Sequence, residues 1–556
     1  MTNAFSSVME NTEDKGCAWS PPDFTKLWRH EQNPRKAQIE ALEWLSEQTA
    51  KFCIVEAPTG VGKSLICTTI CNDGGGLVLT PQISLQEQYV RDFPYMDLIM
   101  SSDNYKCQKS KSSEKGSEGF LSCKKGSAIC KRDKCMGSCP YQIAKNRFCA
   151  STHGTANYAY FWRFLGSPEL SLDQQWIILD EAHNLEQSLI DSAAVEVSDK
   201  WCKENGFQYS KPRSFLEAVR FFVTLVKQID TKCAELRRNL DLFERNGDYS
   251  SISRTTDELI ALEEYSASAC FSYNILTKDD LFESKGFDED AMIEAGLVLI
   301  RLEAKDKDGF VIKPLYAKHV WGTLPDFIKE KRFFLTSATI LDIDQFVKNL
   351  GWKKSEVAFH KIDSPFDKDN RKVFLKGKVS LNRSNLEFEF PGVASQADEF
   401  LNKFRDMRGI IHTHTFKLAN DYFNMSKEKN RLLLHKQGDD RNALIEEFIN
   451  SDRDDVVLVS PSMTEGLDLK EDLGRFAIFL KVPYPSMGDP WVKARMDMDK
   501  NWYSWQVAKT IMQGCGRVVR SKNDWGYSIM LDGGFRSFIE REQKFFPEWF
   551  LDSIRL

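Results

Sequence analysis

The stretch Ala57-Pro58-Thr59-Gly60-Val61-Gly62-Lys63-Ser64 puts two glycines, a lysine and a hydroxyl within eight residues. Glycines at 60 and 62 let backbone N–H groups turn inward and approach a phosphate chain. A helix starting at that point adds positive partial charge. Lys63 would reach the β- and γ-phosphates of ATP, and the Ser64 hydroxyl would hold Mg2+. Ala57 stands where the general pattern has glycine. Upstream, Arg35 and Gln38 open a helical pattern, and the Gln38 amide could donate to and accept from an adenine. A second stretch is Asp180-Glu181-Ala182-His183. Asp180 can hold Mg2+ through water, and Glu181 can polarise an attacking water. A third is Gln513-Gly514-Cys515-Gly516-Arg517-Val518-Val519-Arg520. Arg517 and Arg520 are three apart and share a face on a helix. Two arginines aimed at a nucleotide would stabilise charge developing on its γ-phosphoryl group.

These residues need strands and helices to bring them together. Phe52-Cys53-Ile54-Val55 reads as a buried strand feeding the glycine loop, and Leu65 to Ile70 as the helix leaving it. Leu77-Val78-Leu79, Trp176-Ile177-Ile178-Leu179 and Phe333-Phe334-Leu335 are further short apolar runs. The last of these ends in Thr336-Ser337-Ala338-Thr339, a hydroxyl-rich turn that could couple the nucleotide site to another site. The final third repeats the alternation, with strands expected at 409–415, 432–435, 456–460, 476–480 and 527–531. It has no phosphate loop, but carries Thr464-Glu465-Gly466-Leu467-Asp468. The expected class is α/β with two parallel-sheet units. From Ala193 to Lys313 apolar residues recur at helical spacing (Phe215, Val219, Phe222, Leu225), which predicts a mostly helical insertion.

The 556 residues suggest three or four domains. A net charge of −6 does not by itself favour nucleic acid. No apolar run approaches the ~20 residues that span a bilayer, and Met1 to Ser20 is polar. An intracellular protein of the cytoplasm or nucleoid is expected, with no membrane partner, so the 14 cysteines are not expected to form structural disulfides. Cys53, Cys67, Cys71 and Cys270 lie in apolar runs and read as small core residues. Cys107, Cys123, Cys130, Cys135 and Cys139 instead crowd a polar, lysine-rich segment. They read as a metal site, and their irregular gaps suit an iron–sulfur cluster at least as well as zinc. The surrounding lysines could grip a phosphate backbone.

Taken in order, these motifs resemble those of superfamily 2 helicases of the iron–sulfur XPD/DinG family, with DinG the nearer branch. Residues 57–64 fit motif I, where the family often has Ala first. Asp180 to His183 spells the DEAH box, Leu335 to Thr339 fits motif III, Thr464 to Asp468 resembles motif V, and Gln513 to Arg520 fits motif VI. The resemblance implies two RecA-like lobes. The first lobe would take residues 1–103, 148–195 and 319–345, interrupted by an iron–sulfur insertion at 104–147 and a mostly helical Arch-like insertion at 196–318. The second would take 346–556. It also implies ATP, Mg2+ and a [4Fe-4S] cluster as cofactors, with Gly466 and Asp468 joining Arg35, Gln38 and residues 57–64 around the nucleotide. The DinG-like ligand set is Cys107, Cys130, Cys135 and Cys139, whereas an XPD-like set uses Cys123 in place of Cys130. Expected partners are single-stranded DNA and forked or tailed duplex DNA, with DNA–RNA hybrids a further substrate and 5′ to 3′ movement. Asp532-Gly533-Gly534-Phe535 lacks the arginine that the family usually carries there. Two other classes stay open. One is an ATP-driven translocase that remodels nucleoprotein, the other a zinc-stabilised binding protein with a relic nucleotide fold.

Overall fold

The computed structural model describes residues 20–111, 120–123, 138–165, 172–277, 296–302, 308–364, 366–463, 469, 471–516, 518–519 and 524–556. Its apolar runs become the central strands of two parallel sheets. A strand covered by helices on both faces has no polar side, so its sequence is apolar throughout. In the first sheet the strands lie in the spatial order Val357–Lys361, Phe52–Glu56, Arg332–Ser337, Trp176–Asp180, Gly76–Thr80, His153–Asn157, Asp97–Leu98. Every neighbouring pair is parallel. Successive residues of a strand serve opposite faces. Cys53 and Val55 pack with Leu42, Leu45, Ile66 and Ile70 of the helices Lys36–Leu45 and Lys63–Ile70. Ile54 joins Leu79, Ile177, Leu335, Phe161 and Leu189 on the other face. Truncating one of these buried leucines to Ala would cost about 2–5 kcal/mol.

Register is what positions the site. Glu56 lies beside Ser337, and Thr336 beside Asp180. The glycine loop, the acidic turn and the hydroxyl-rich turn therefore leave the sheet at one level on its carboxyl edge, where open α/β sheets bind ligands. The second sheet has the order Leu432–Leu434, Val457–Ser460, Gly409–His412, Phe476–Phe479, Tyr527–Met530, Val373–Leu375, Ile554–Arg555, again all parallel.

The structure adds to two expectations. The second lobe was expected from residue 346. Instead, the helix Ile343–Leu350 and the strand Val357–Lys361 stay with the first lobe, the strand pairing with Phe52–Glu56. Lys361 also sits 3.1 Å from the buried Glu56 carboxylate. This pairing supports a lobe boundary after Lys361. The insertion between the acidic turn and the strand Arg332–Ser337 contains long helices, Phe215–Asn246 and Tyr249–Thr277. They rest on an antiparallel sheet of Val195–Ser198, Gly309–Pro314 and Leu297–Leu302 that the helical periodicity of the region concealed. Phe310 and Ile312, spaced by two, pack against Phe222, Leu225 and Leu262.

Candidate active site

Gly60 and Gly62 adopt φ of 80° and 87°, the left-handed region that a Cβ disfavours. At Gly62 a Cβ would also meet the Gln38 amide nitrogen at 2.4 Å. Ala57 has no such requirement: it is fully buried, its N–H donates to the Ser337 carbonyl at 2.9 Å, and its φ is not positive. This is why alanine serves where the general pattern has glycine. Pro58, Thr59, Lys63 and Ser64 are half-buried, Val61 is buried and Gly60 exposed, as a loop open to a phosphate chain requires. Arg35 and Gln38 both reach this loop. Arg35 Nη1 donates to the Gly60 carbonyl at 2.7 Å and Gln38 Nε2 to the Gly62 carbonyl at 3.1 Å. Gln38 Oε1 accepts from the Arg35 N–H at 2.8 Å, and the side chain is 1% exposed.

Lys63 Nζ lies 3.7 Å from Glu181 Oε1, so the loop lysine and the acidic turn meet. Asp180 is buried behind them. Its carboxylate accepts from the Tyr89 hydroxyl at 2.8 Å and from the Glu181 N–H at 2.9 Å. Burial, and then the adjacent Glu181 charge, push its carboxyl up to about 6. Two acids, one fully buried, against a single lysine make a site whose excess negative charge a divalent cation would relieve. The donor set therefore fits Mg2+ on Asp180 and Ser64, and the left-handed glycine loop fits a polyphosphate.

Several contacts here were not read from the sequence. Tyr158 donates to the Asp180 backbone carbonyl at 2.7 Å. His183 is 5% exposed, with Nδ1 2.7 Å from Ser337 Oγ and Nε2 2.9 Å from Asn184 Nδ2. With Asn184 donating, the ring proton sits on Nδ1 and is donated to Ser337, whose hydroxyl also accepts from the Thr339 N–H at 3.1 Å. The acidic turn and the hydroxyl-rich turn are thus one hydrogen-bonded unit. Glu181 itself has φ of 53°, uncommon for any residue but glycine. His183 belongs to the motif and could have been flagged. Tyr89 and Tyr158 carry no such signal, because only the packing of their helices on the sheet brings them to Asp180.

From the second lobe, the helix Lys500–Cys515 brings Gln513 within 3.5 Å of Thr339 Oγ1. Arg517, Arg520, Gly466 and Asp468 lie outside the described residues, as do Cys130 and Cys135. Of the other clustered cysteines, Cys107 and Cys123 are buried and Cys139 half-buried. Cys123, outside the DinG-like set, lies 3.9 Å from Cys139 between sulfurs. Burial first, with Cys139 and Cys107 adding to it, pushes the Cys123 thiol up to about 11. Among the described residues no three metal-ligating side chains form one group, and no helix is long and apolar enough to cross a membrane.

Known proteins match this chain in sequence and in fold. A helicase C-terminal domain family matches residues 400–553, and a type III restriction enzyme res-subunit family matches residues 31–211. The regulator of telomere elongation helicase 1 homolog of Drosophila ananassae is 27% identical over 134 residues, 21% of this chain and 14% of that protein. An XPD helicase structure aligns with a TM-score of 0.54 at 14% identity, covering 89% of this chain and 94% of that one. The S. tokodaii Xpd4 structure aligns at 0.52 and 12% identity, covering 94% and 100%. At these identities the structural likeness establishes the fold, two RecA-like lobes. The family matches add a helicase C-terminal domain in the second lobe and a res-subunit-like region in the first.

Proposed function

We propose that this protein hydrolyses ATP to move 5′ to 3′ along single-stranded DNA and to part duplex DNA or DNA–RNA hybrids. The observation that carries the reading is the meeting of Lys63 and Glu181 at 3.7 Å over a left-handed glycine loop, with Asp180 buried behind them. Lys63 would neutralise the β- and γ-phosphates. Ser64 and Asp180 would hold Mg2+, which would supply positive charge against the phosphates. Glu181 would orient and polarise the attacking water. Arg517 and Arg520 follow directly after the helix that touches Thr339, which supports their role against charge developing on the γ-phosphoryl group. Gly466 and Asp468 would contact the nucleotide from the same lobe. Cycles of closure would then draw the strand across both lobes.

The cysteine segment is proposed to hold a [4Fe-4S] cluster within an insertion at 104–147 and, with an Arch-like insertion at 196–318, to split strands. Buried thiols of Cys107 and Cys123, with Cys139 beside the latter, fit thiolate ligation. The approach of the Cys123 and Cys139 sulfurs to 3.9 Å also supports Cys123 as an alternative to Cys130 in the set Cys107, Cys130, Cys135 and Cys139. An ATP-driven translocase that remodels nucleoprotein or R-loops without processive unwinding is the second reading. Strand displacement on 5′-tailed, 3′-tailed and forked DNA and on DNA–RNA hybrids separates them. Unwinding from a 5′ tail and little from a 3′ tail is expected. Efficient unwinding from the 3′ tail alone overturns the direction, and ATP turnover with no displacement favours the translocase.

A further inference from the structure

The helix Lys500–Cys515 lies along the first lobe by one face. Asn501, Trp505, Lys509 and Gln513 are spaced by four, the repeat that stacks side chains on a single helical face. Each bonds across the seam. Asn501 Nδ2 donates to Gln345 Oε1 at 2.8 Å, and Trp505 Nε1 to the Ile340 carbonyl at 2.8 Å. Lys509 Nζ donates to the His183 carbonyl at 3.3 Å, and Gln513 Nε2 approaches Thr339 Oγ1 at 3.5 Å. At the foot of this helix Arg495, fully buried, reaches Asn349 Oδ1 at 2.7 Å and Glu186 Oε1 at 3.3 Å. Glu186 stands three residues after His183, on the helix that leaves the acidic turn.

The acidic turn is therefore gripped from the second lobe while it holds a conformation that costs free energy. Glu181 adopts φ 53° and ψ 49°, a strained state for a residue with a Cβ. Such a state persists only when its surroundings over-determine it. Lys509 is 8% exposed, and its ammonium stands 4.4 Å over the Trp505 ring and donates a charge-assisted bond to the carbonyl two residues beyond Glu181. That carbonyl belongs to the turn that carries the proposed water-activating carboxylate.

We propose that Lys509 is a positioning residue for hydrolysis: by clamping the His183 carbonyl, it holds Glu181 in its working conformation only while the second lobe is docked. Water activation then becomes conditional on lobe closure, which would suppress hydrolysis in an open molecule. This rests on the ATP-hydrolysis reading above. The test compares Lys509→Met, which keeps the stem on Trp505, with Lys509→Arg, which keeps the cation, and with Lys509→Gln as a second neutral variant. DNA-stimulated turnover and its KM are measured, together with the affinity for a fluorescent non-hydrolysable ATP analogue and the melting temperature. Because a misplacement near 1 Å can cost ~100-fold, kcat should fall about tenfold or more in both neutral variants. KM and analogue affinity should stay within about twofold, and Lys509→Arg should recover most of kcat. Wild-type kcat in a folded neutral variant overturns the proposal, as does a loss of kcat that arginine does not restore. So does a loss of nucleotide affinity in proportion to kcat. A wild-type protein with no ATP turnover at all would instead sink the underlying reading of the site.

Discussion

Replacing Glu181 by glutamine and by glycine should separate the chemistry of that side chain from the strain of its backbone. Both substitutions remove the carboxylate and the 3.7 Å contact with Lys63, so charge effects cancel when the two variants are compared. They differ in backbone freedom. Glutamine keeps a Cβ in the left-handed region at φ 53°, whereas glycine relieves about 1–2 kcal/mol of that cost. Glycine also gives the unfolded chain extra freedom, which offsets about 0.5–1 kcal/mol. The balance leaves the glycine variant ahead by roughly 0.5–1 kcal/mol. At an ordinary position on the same turn its sign would be reversed. For a lobe of this size that is about 2 °C in the melting temperature, within reach of scanning calorimetry without nucleotide. DNA-stimulated ATPase should fall ~100-fold or more in both variants, because each lacks the group that polarises water. A glycine variant that melts below the glutamine variant would refute the strained turn. Substantial turnover in the glutamine variant would refute the role of the carboxylate.

Lys63→Ala should lower ATPase by ~100-fold or more, since it removes the cation that meets Glu181 at the glycine loop; near-normal turnover would show that the lysine does not face the phosphates. Arg517→Ala and Arg520→Ala should slow hydrolysis far more than they weaken nucleotide binding, because the arginines serve the transition state. Equilibrium binding of a non-hydrolysable analogue beside steady-state ATPase checks this. Protein purified without oxygen should be brown and contain iron and sulfide, and Cys139→Ser should bleach it and abolish unwinding while some ATPase remains. Comparing Cys123→Ser with Cys130→Ser identifies the second ligand by which variant loses colour, and a colourless wild type with one zinc rejects the cluster.

Features set by neighbouring residues were legible in the sequence. The runs Phe52–Glu56 and Trp176–Asp180 read as strands because burial on both faces demands apolar residues throughout, and they are buried along their whole lengths. Gly60 and Gly62 marked the loop because only glycine takes their positive φ without strain. Asp180 and Glu181 were assigned to strand's end by their immediate neighbours alone. Where the evidence is long-range, sequence reading stopped short. The edge strand Val357–Lys361 is recognisable only through its pairing with Phe52–Glu56, and the sheet beneath the long helices only through three strands that join across the insertion. Gln38 was read only as a contact to adenine, and its amide bonds to Gly62 and Arg35 became visible in the structure alone. Tyr89 meets Asp180 across 91 positions of chain, and Lys509 meets His183 across 326. Backbone preference and burial pattern are local quantities, written into a few consecutive residues. Which side chain braces the acidic turn from the opposite lobe depends on how two separately formed sheets dock, and only the tertiary structure decides that.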